Sequence, residues 1–326
     1  MRRVLVIVVV YNGRRWLDRC LGSVLPGDAA SCGEALQVDA FVWDNDSTDG
    51  SADFVAARYP QAKLVRSADN LGFSAPNNRG FAHALRNGYD YVYLLNQDAW
   101  LLPGALTRMV AAAEAWPAYG VLSPLQYQDG CSALDVQFAK LWKAGRGTVP
   151  ETAGHPRPDK GEGPVDKAGG RVRSEAEAVS GAVPLPEAPV EVKRVMAAHW
   201  LVPVRAIREI GPFEETLFPF YGQDDEWCRL LHLRGWKVGV VPAAKAVHDR
   251  AQREEPLEKT VRRNYYTGAL VRLCDVRRPL PLLFLYVLLF TVVKVVRYRS
   301  FLPLKYFRRL CRDLPAVRAR RKFCRA

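Results

Sequence analysis

The 326-residue chain has no Cys-x-x-Cys pair among its seven cysteines, an odd number scattered from Cys20 to Cys324. Neither a zinc ribbon nor a disulfide scaffold is supported, and reduced thiols in a cytosolic setting are expected. The chain also lacks a P-loop, a G-x-G-x-x-G and a G-x-S-x-G. Kinase-like NTPase, dinucleotide dehydrogenase and serine hydrolase readings thereby lose their usual support. No cleavable leader is evident: Arg2-Arg3 precede Val4–Val10, but the run is short and no small-residue cleavage site follows. Tyr11-Asn12-Gly13 breaks it as a turn does, so it reads as a buried first strand. With 49% hydrophobic and 25% charged residues, the chain is neither disordered nor a polytopic membrane protein.

Acid is nearly absent from one stretch. Residues 277–326 hold 14 Lys/Arg against Asp313 alone, whereas the preceding 276 residues carry 33 bases and 33 acids. The net charge of +13 therefore sits on the tail. The neutral body offers no excess suited to nucleic acid, and a basic terminus points to an anionic surface. Pro279–Val293 is uncharged over 15 residues, roughly 22 Å of helix against roughly 30 Å of hydrocarbon. A segment lying in or dipping into the bilayer, backed by bases attracted to anionic lipid, is expected. The plainer alternative is a hydrophobic core helix followed by a solvated basic tail.

Short apolar or β-branched runs at Val4–Val10, Val38–Trp43, Ala62–Val65 and Tyr91–Leu95 alternate with helical periodicity at Trp16–Leu25, Ser51–Arg58, Ala75–Arg86 and Pro103–Trp116. That alternation predicts a mostly parallel sheet covered on both faces, with ligands beyond the carboxyl ends of the strands. Tyr11-Asn12, Asp44–Asp49, Asn70–Phe73 and Asn96–Asp98 occupy those ends. Residues 144–195 hold 15 Gly or Pro and no Phe, Trp or Tyr, which suits an excursion or mobile loop. Structure is expected to resume with a strand at Val195–Val204, a turn at Gly211-Pro212-Phe213, a helix from about Asp224 to Arg234 and a strand at Trp236–Val241. The expected divisions are 1–126, 127–194, 195–276 and 277–326.

Three carboxylates crowd Asp44-Asn45-Asp46-Ser47-Thr48-Asp49. They suit either a turn with Ser47 or Thr48 capping a helix, or an Asp44 that reaches a nucleotide base or ribose. Asp98, emerging at a strand end, can take a divalent cation that also holds substrate phosphates, or simply close a turn. Asp224, Asp225 and Glu226 at a helix start offset the macrodipole, and Asp225 or Glu226 can pair with Arg229. That explains neither Phe220, Tyr221 nor Gly222 before them. His248, after the last strand, is a structural histidine or a further metal ligand beside Asp98.

Taken in order, VVVYN (Val8–Asn12), WDNDSTDGS (Trp43–Ser51), NLGFSAPNNRG (Asn70–Gly80), LLNQDA (Leu94–Ala99), IGPFEETLFPFYGQDDEWCR (Ile210–Arg229) and Gly235 to His248 resemble the family 2 glycosyltransferases. The match spans about residues 4–125 and 195–250. It looks most like the rhamnosyl- and galactofuranosyl-transferase branch that builds bacterial surface polysaccharide. The resemblance implies an α/β, Rossmann-like GT-A fold: a mostly parallel sheet flanked by helices, here with a C-terminal membrane-associated helical tail. It implies an inverting transfer from a UDP- or dTDP-linked nucleotide-sugar donor to a lipid-linked or polysaccharide acceptor, with Mg or Mn.

On this resemblance Asn96-Gln97-Asp98 takes the place of the D-x-D motif, with Asp98 the main metal carboxylate and His248 a further ligand. Tyr11, Asn12, Asp44, Asn45, Asn70, Gly72, Asn96 and Gln97 are expected on the donor, and Asp224 matches the catalytic base. Gln223 departs from an expected acid, Asp46 from a usual Gly, and Glu214 from a usual Asp. A cytoplasmic protein, peripheral on the inner face of the cell membrane through 277–326, follows, with no nucleic-acid partner. Removing 277–326 is expected to leave a more soluble body that still binds nucleotide. The alternatives are a membrane-associated nucleotidyl or sugar-phosphate transferase and a non-catalytic nucleotide-sugar-binding module.

Overall fold

The computed structural model describes residues 1–25, 36–146, 188–250 and 256–325. Most of the expected 127–194 excursion, residues 147–187, lies outside the described residues. The amino-terminal half runs β1 (Arg2–Val10), α1 (Leu17–Gly22), β2 (Leu36–Asn45), α2 (Ser51–Arg58), β3 (Lys63–Ser67), α3 (Ser74–Arg86), β4 (Tyr91–Asn96), β5 (Ala99–Leu101), α4 (Ala105–Ala115), β6 (Tyr119–Tyr127) and α5 (Val136–Arg146). It continues through β7 (Val190–Glu191), β8 (His199–Pro203), α6 (Val204–Ile210), α7 (Gln223–Leu233) and β9 (Lys237–His248). The chain closes with α8 (Leu257–Val261), a π-helical turn (Arg262–Thr267), α9 (Gly268–Leu273), α10 (Leu280–Tyr298) and α11 (Leu302–Arg325).

The sheet order is β3-β2-β1-β4-β8-β6-β9-β5, with β7 beside β9. The first four strands are mutually parallel, β8 is antiparallel to both its neighbours, and β6 and β9 are parallel. The unbroken apolar run of β1 has the cause expected of a central strand. Leu5 and Ile7 enter the core on one face, with Phe81 and Trp227, while Val4, Val6, Val8 and Val10 enter the core on the other, with Leu17 and Met109. Period-two alternation with both faces buried needs apolar residues at every position.

Two readings of the sequence shift, and one strand was not anticipated. The run Val195–Val204 is a strand only over His199–Pro203, because it must pair antiparallel with Tyr91–Leu95. The last strand does not end at Val241; it passes Pro242 by a register shift and continues to His248. Tyr119–Tyr127, where Pro124 and Gly120 weaken the strand pattern, is nonetheless a fully buried central strand. From 127–194, α5 brings Phe138 and Trp142 into the core.

The tail is built into the fold. Leu283, Val287, Tyr306, Leu310 and Val317 form a third core with Val261, Tyr265, Leu270 and Leu273. Arg320 forks Glu226 of α7 at 2.8 and 2.9 Å, both groups buried. The detachable tail expected from charge is therefore corrected: removing 277–326 strips one wall from this core and leaves Glu226 buried without its cation. Along α10 one stripe, Leu283, Val287 and Thr291, faces the protein. Leu282, Leu285, Leu289, Val292, Val293 and Val296 are exposed. This helix is long and apolar enough to cross a membrane by length and composition, with a mean hydropathy of 2.1 and 17% of the window buried.

Candidate active site

The carboxyl ends of β1, β2 and β4 carry the first group of expected residues. Many of them hold one another. Tyr11 N–H donates to Gln97 Oε1 (2.7 Å), and Gln97 Nε2 returns a bond to Tyr11 C=O (3.1 Å). Asn12, at φ 50°, accepts from Thr48 N–H at 2.8 Å, and Ser47 Oγ accepts from Asn12 N–H. Neither Ser47 nor Thr48 therefore caps α2, whose first residue instead bonds Asp49 Oδ1. Asn45 donates to Gly72 C=O (2.6 Å) and accepts from Leu71 N–H (3.1 Å), while Asn70 accepts from Gly72 N–H. Asp46 sits at φ 65°, the left-handed conformation that Gly adopts freely and Asp tolerates, which accounts for its place in the motif. Asp44 is buried; its Oδ2 accepts from Ser47 N–H, and Oδ1 has no partner among the described residues. The Tyr11 ring is exposed. The atoms left for a ligand at this end thus include the Tyr11 ring and Asp44 Oδ1.

The antiparallel pairing of β5 with β9 sets Ala99 opposite His248. That register brings Asp98 Oδ1 within 3.5 Å of His248 Nε2, and Asp249 N–H donates to Asp98 C=O (2.8 Å). Burial works to raise the Asp98 carboxyl, but the hydrogen bond and charge of His248 outweigh it and hold it below the usual range. His248 Nδ1 is buried with no partner among the described residues. Two donors about 2.1 Å from one ion and at right angles stand about 3 Å apart, so a carboxylate and imidazole at this spacing fit a divalent cation. Among the described residues no third His, Cys, Asp or Glu completes the set, leaving positions for water or phosphate oxygens.

One brace escaped the sequence reading. His199 accepts from Tyr93 Oη (3.0 Å) and donates through Nε2 to Val247 C=O (3.0 Å). Burial pushes its pKa down to about 3, so it stays neutral in that role. A lone histidine within the apolar segment 195–204 was the only available signal.

Asp224 lies in the first turn of α7, after Gly222 at φ 90°. A Cβ on Gly222 would meet the Thr267 methyl at 2.5 Å, so the turn needs glycine on both conformational and steric grounds. Burial, then the charge of Asp225, push the Asp224 pKa up to about 7. Gln223 is buried and its Oε1 has no partner among the described residues. The expected pairs with Arg229 do not form: Asp225 binds Arg194, Glu226 binds Arg320, and Arg229 approaches Asp275 at 3.9 Å. Each acid takes the cation that tertiary packing brings nearer than its own helix does.

The two groups are linked by contacts. The Pro219 carbonyl accepts from Phe73 and Ser74 N–H at 2.6 and 3.1 Å, seating the loop before α7 on the start of α3. A Cβ at Gly72, φ 83°, would lie 2.4 Å from that same carbonyl oxygen. Asn78 exchanges bonds with Phe213 and donates to Glu215 Oε2 (2.8 Å). Residues 194–198 touch neighbours of both groups: Arg194 pairs with Asp225, Met196 Sδ accepts from Arg250, and Ala198 C=O accepts from Asn96 N–H. A recess of about 280 Å³ lined by Arg2, Asp90, Glu114 and Arg208 lies by the opposite ends of β1 and β4, away from these groups.

The sequence model described as Glycosyl transferase family 2 matches residues 5–148. The chain is 27% identical over 254 residues to N-acetylglucosaminyl-diphospho-decaprenol L-rhamnosyltransferase of Mycobacterium tuberculosis, covering 76% of each protein. The fold is similar to the crystal structure of S. aureus TarS 1-349 (TM-score 0.53, 14% identity, 84% of this chain). It spans 65% of that chain, just under two thirds. Similar too are GalNAc-T7 with UDP, GalNAc and Mn2+ (TM-score 0.52, 13% identity, 82% of this chain, 50% of that one) and the mannosyltransferase PcManGT of Pyrobaculum calidifontis with GDP-Man and Mn2+ (TM-score 0.50, 16%, 98% and 76%). With its parallel first sheet half, its six motif segments in order and these relatives, the chain is similar to the family 2 glycosyltransferases, whose sequence model its residues 5–148 match.

Proposed function

We propose that this glycosyltransferase moves a sugar, rhamnose in preference to galactofuranose, from a dTDP- or UDP-linked donor to a hydroxyl of a lipid-linked acceptor, with inversion. The observation that carries the reading is Asp224, a carboxylate at the amino end of α7 whose pKa lies at about 7. Such a group can accept the proton of an acceptor hydroxyl near neutral pH as the new bond forms. Attack from the face opposite the leaving nucleotide gives inversion. The preference for rhamnose and for a lipid-linked acceptor rests on the mycobacterial relative.

Asp98 and His248 would hold a Mg or Mn ion, which when bound neutralises charge on the departing diphosphate. Asp44 Oδ1 and the Tyr11 ring would meet the nucleoside, and Asn12, Asn45, Asn70, Gly72, Asn96 and Gln97 shape the loops around it. The apolar face of α10 and the bases of 277–326 would hold the enzyme on the inner face of the membrane. A polysaccharide acceptor is the second reading of the same site.

The test is transfer by the full chain from dTDP-rhamnose or UDP-galactofuranose to a prenyl-diphosphate-linked N-acetylglucosamine, followed by mass spectrometry. A deoxyhexose gain that EDTA abolishes and Mg or Mn restores supports the reading. Donor binding without transfer to any hydroxyl acceptor would leave a binding module instead.

A further inference from the structure

Helices α10 and α11 form a hairpin that the body holds at both ends. At its base, Arg321 of α11 donates to Leu273 C=O (2.8 Å) and to Arg278 C=O (2.7 Å), just before Pro279 opens α10. At its tip, Lys305 pairs with Glu258 of α8 at 2.7 Å. Between them, Tyr265 of the π-helical turn shares a hydroxyl bond with Thr291. The Arg272 guanidinium of α9 lies 4.4 Å from the centre of the Tyr286 ring, and Phe284 meets Phe307 of α11. One stripe of α10 is thus tied to the protein along most of its length.

The opposite stripe is bare. Leu282, Leu285, Leu289, Val292 and Val296 recur at intervals of three and four, and each is between 52% and 72% exposed. At 3.6 residues per turn they share a face that points away from Leu283, Val287 and Thr291. That face runs alongside the body for about 21 Å. A continuous apolar strip of this kind marks an interaction surface. Arg278 before the helix and Arg297 and Arg299 after it are exposed, in a stretch of 14 bases and one acid. A second copy of this chain would bring those bases against their own kind. A leaflet with anionic headgroups matches both chemistries, hydrocarbon for the strip and phosphate for the helix ends.

We infer that α10 lies lengthwise in the headgroup boundary of one anionic leaflet and does not cross the bilayer. This rests on the proposed membrane attachment and adds its depth and direction. A span would carry α11 to the far side, yet α11 supplies part of the third core and neutralises Glu226. A hairpin dipping tip first would draw Arg297, Arg299 and Lys305 into hydrocarbon, where a charge is expensive. Lying flat breaks none of these contacts and sinks the bare stripe roughly 5–10 Å. The body is then held at a fixed height. Thr267 of the π-helical turn and Val271 of α9 close on Gly222, so one helix layer, roughly 8–10 Å between axes, separates the turn carrying Asp224 from the lipid-facing helix. A lipid-borne acceptor reaches that turn while its lipid stays in the leaflet.

The experiment is a depth profile. Leu282→Cys, Leu289→Cys and Val296→Cys, spaced by seven along the bare face, are made singly in the full chain. The background carries Cys32→Ser, Cys131→Ser and Cys311→Ser; Cys20, Cys228, Cys274 and Cys324 are buried. Each variant is nitroxide-labelled and bound to mixed phosphatidylcholine–phosphatidylglycerol vesicles, and depth is read from relaxation by oxygen against a water-soluble nickel chelate. The three depths are expected to agree within about 5 Å and to lie roughly 5–10 Å below the headgroups. Omitting phosphatidylglycerol is expected to weaken binding on the order of tenfold. Leu285→Cys and Val292→Cys serve where one of the three fails to fold. A label at position 289 near the bilayer centre, with 282 and 296 near opposite faces, means a span. A depth that increases from position 282 to 296 by roughly 20 Å means a tip-first hairpin. Either result overturns the inference, as does burial of all three labels in a vesicle-free dimer, which gives the face to a second copy. Binding indifferent to phosphatidylglycerol overturns the anionic partner. A full chain that binds neither kind of vesicle overturns the membrane attachment itself, and the inference with it.

Discussion

The ends of β1, β2 and β4 and the start of α7 solve different problems. At the strand ends the amides bond to neighbouring loops: Gln97 to Tyr11, Asn45 to Gly72, Asn12 to Thr48. The loops are fixed before any ligand arrives, and few polar atoms are left over. Around α7 the reverse holds. Asp224 accepts from Asp225 N–H, its neighbour Gln223 keeps an oxygen without a partner among the described residues, and the turn is held from outside by Arg194, Arg320 and Thr267. Preorganised loops suit binding, whereas a strained protonation equilibrium suits proton transfer. The contrast says which substitutions should alter affinity and which should alter rate.

The largest effect should fall on the rate side. Asp224→Asn keeps the turn's shape but cannot accept a proton. Turnover is expected to drop by roughly 10³-fold or more, with donor affinity near normal by calorimetry. Full turnover would remove Asp224 from the chemistry and with it the contrast. Next comes the outside support. Arg320→Met leaves Glu226 buried without a counter-charge, a loss of about 3–5 kcal/mol in chemical denaturation. Pairing it with Glu226→Leu should recover most of that, because an apolar pair of similar volume needs no desolvation. A single Arg320→Met that unfolds like wild type would show the tail to be dispensable.

How far these regions could be read beforehand follows the range of their interactions. The strands and most helices were legible because apolar periodicity is local: Val4–Val10 and Tyr91–Leu95 show it without a gap. Motif order alone singled out Asp98 and Asp224 as candidates, and the left-handed position of Asp46 was signalled only by its departure from Gly. Tyr119–Tyr127 was not, since Pro124 and Gly120 mimic a turn. The Glu226–Arg320 pair joins positions far apart in sequence, across a core that no periodicity announces. Charge count assigned the bases of the tail to anionic lipid or, in the plainer alternative, to solvent, yet Arg320 and Arg321 are buried. Arg321 donates to the carbonyls of Leu273 and Arg278 at 2.8 and 2.7 Å. Composition cannot distinguish an arginine that faces lipid from one that ties two helices together.

A smaller effect tests the protonation equilibrium itself. With the Asp224 pKa raised from 3.8 to about 7, the ionised form of this proposed base becomes available only as pH rises through about 7. The rate should climb about tenfold per pH unit below that point and level off above it. Because the folded pKa exceeds the unfolded one, the same group costs stability progressively as pH rises from 3.8 to about 7, and no further beyond. Asp225→Asn removes the neighbouring negative charge, so the rate profile should move to lower pH. A profile that stays in place would assign the rise to another group.

The smallest expected effect belongs to the preorganised side. Gln97→Ala removes both bonds to the Tyr11 backbone, each worth about 1 kcal/mol net. Tyr11 lies at the exposed end of β1, where water can replace the lost partner, so thermal stability should fall only slightly. What should change is the cost of ordering the loop on binding. Donor affinity is expected to weaken roughly tenfold, about 1.4 kcal/mol, with kcat at saturating donor nearly unchanged. If kcat fell instead while affinity held, Gln97 would belong with the reacting groups, and the division between fixed binding loops and a tuned catalytic turn would no longer describe this enzyme.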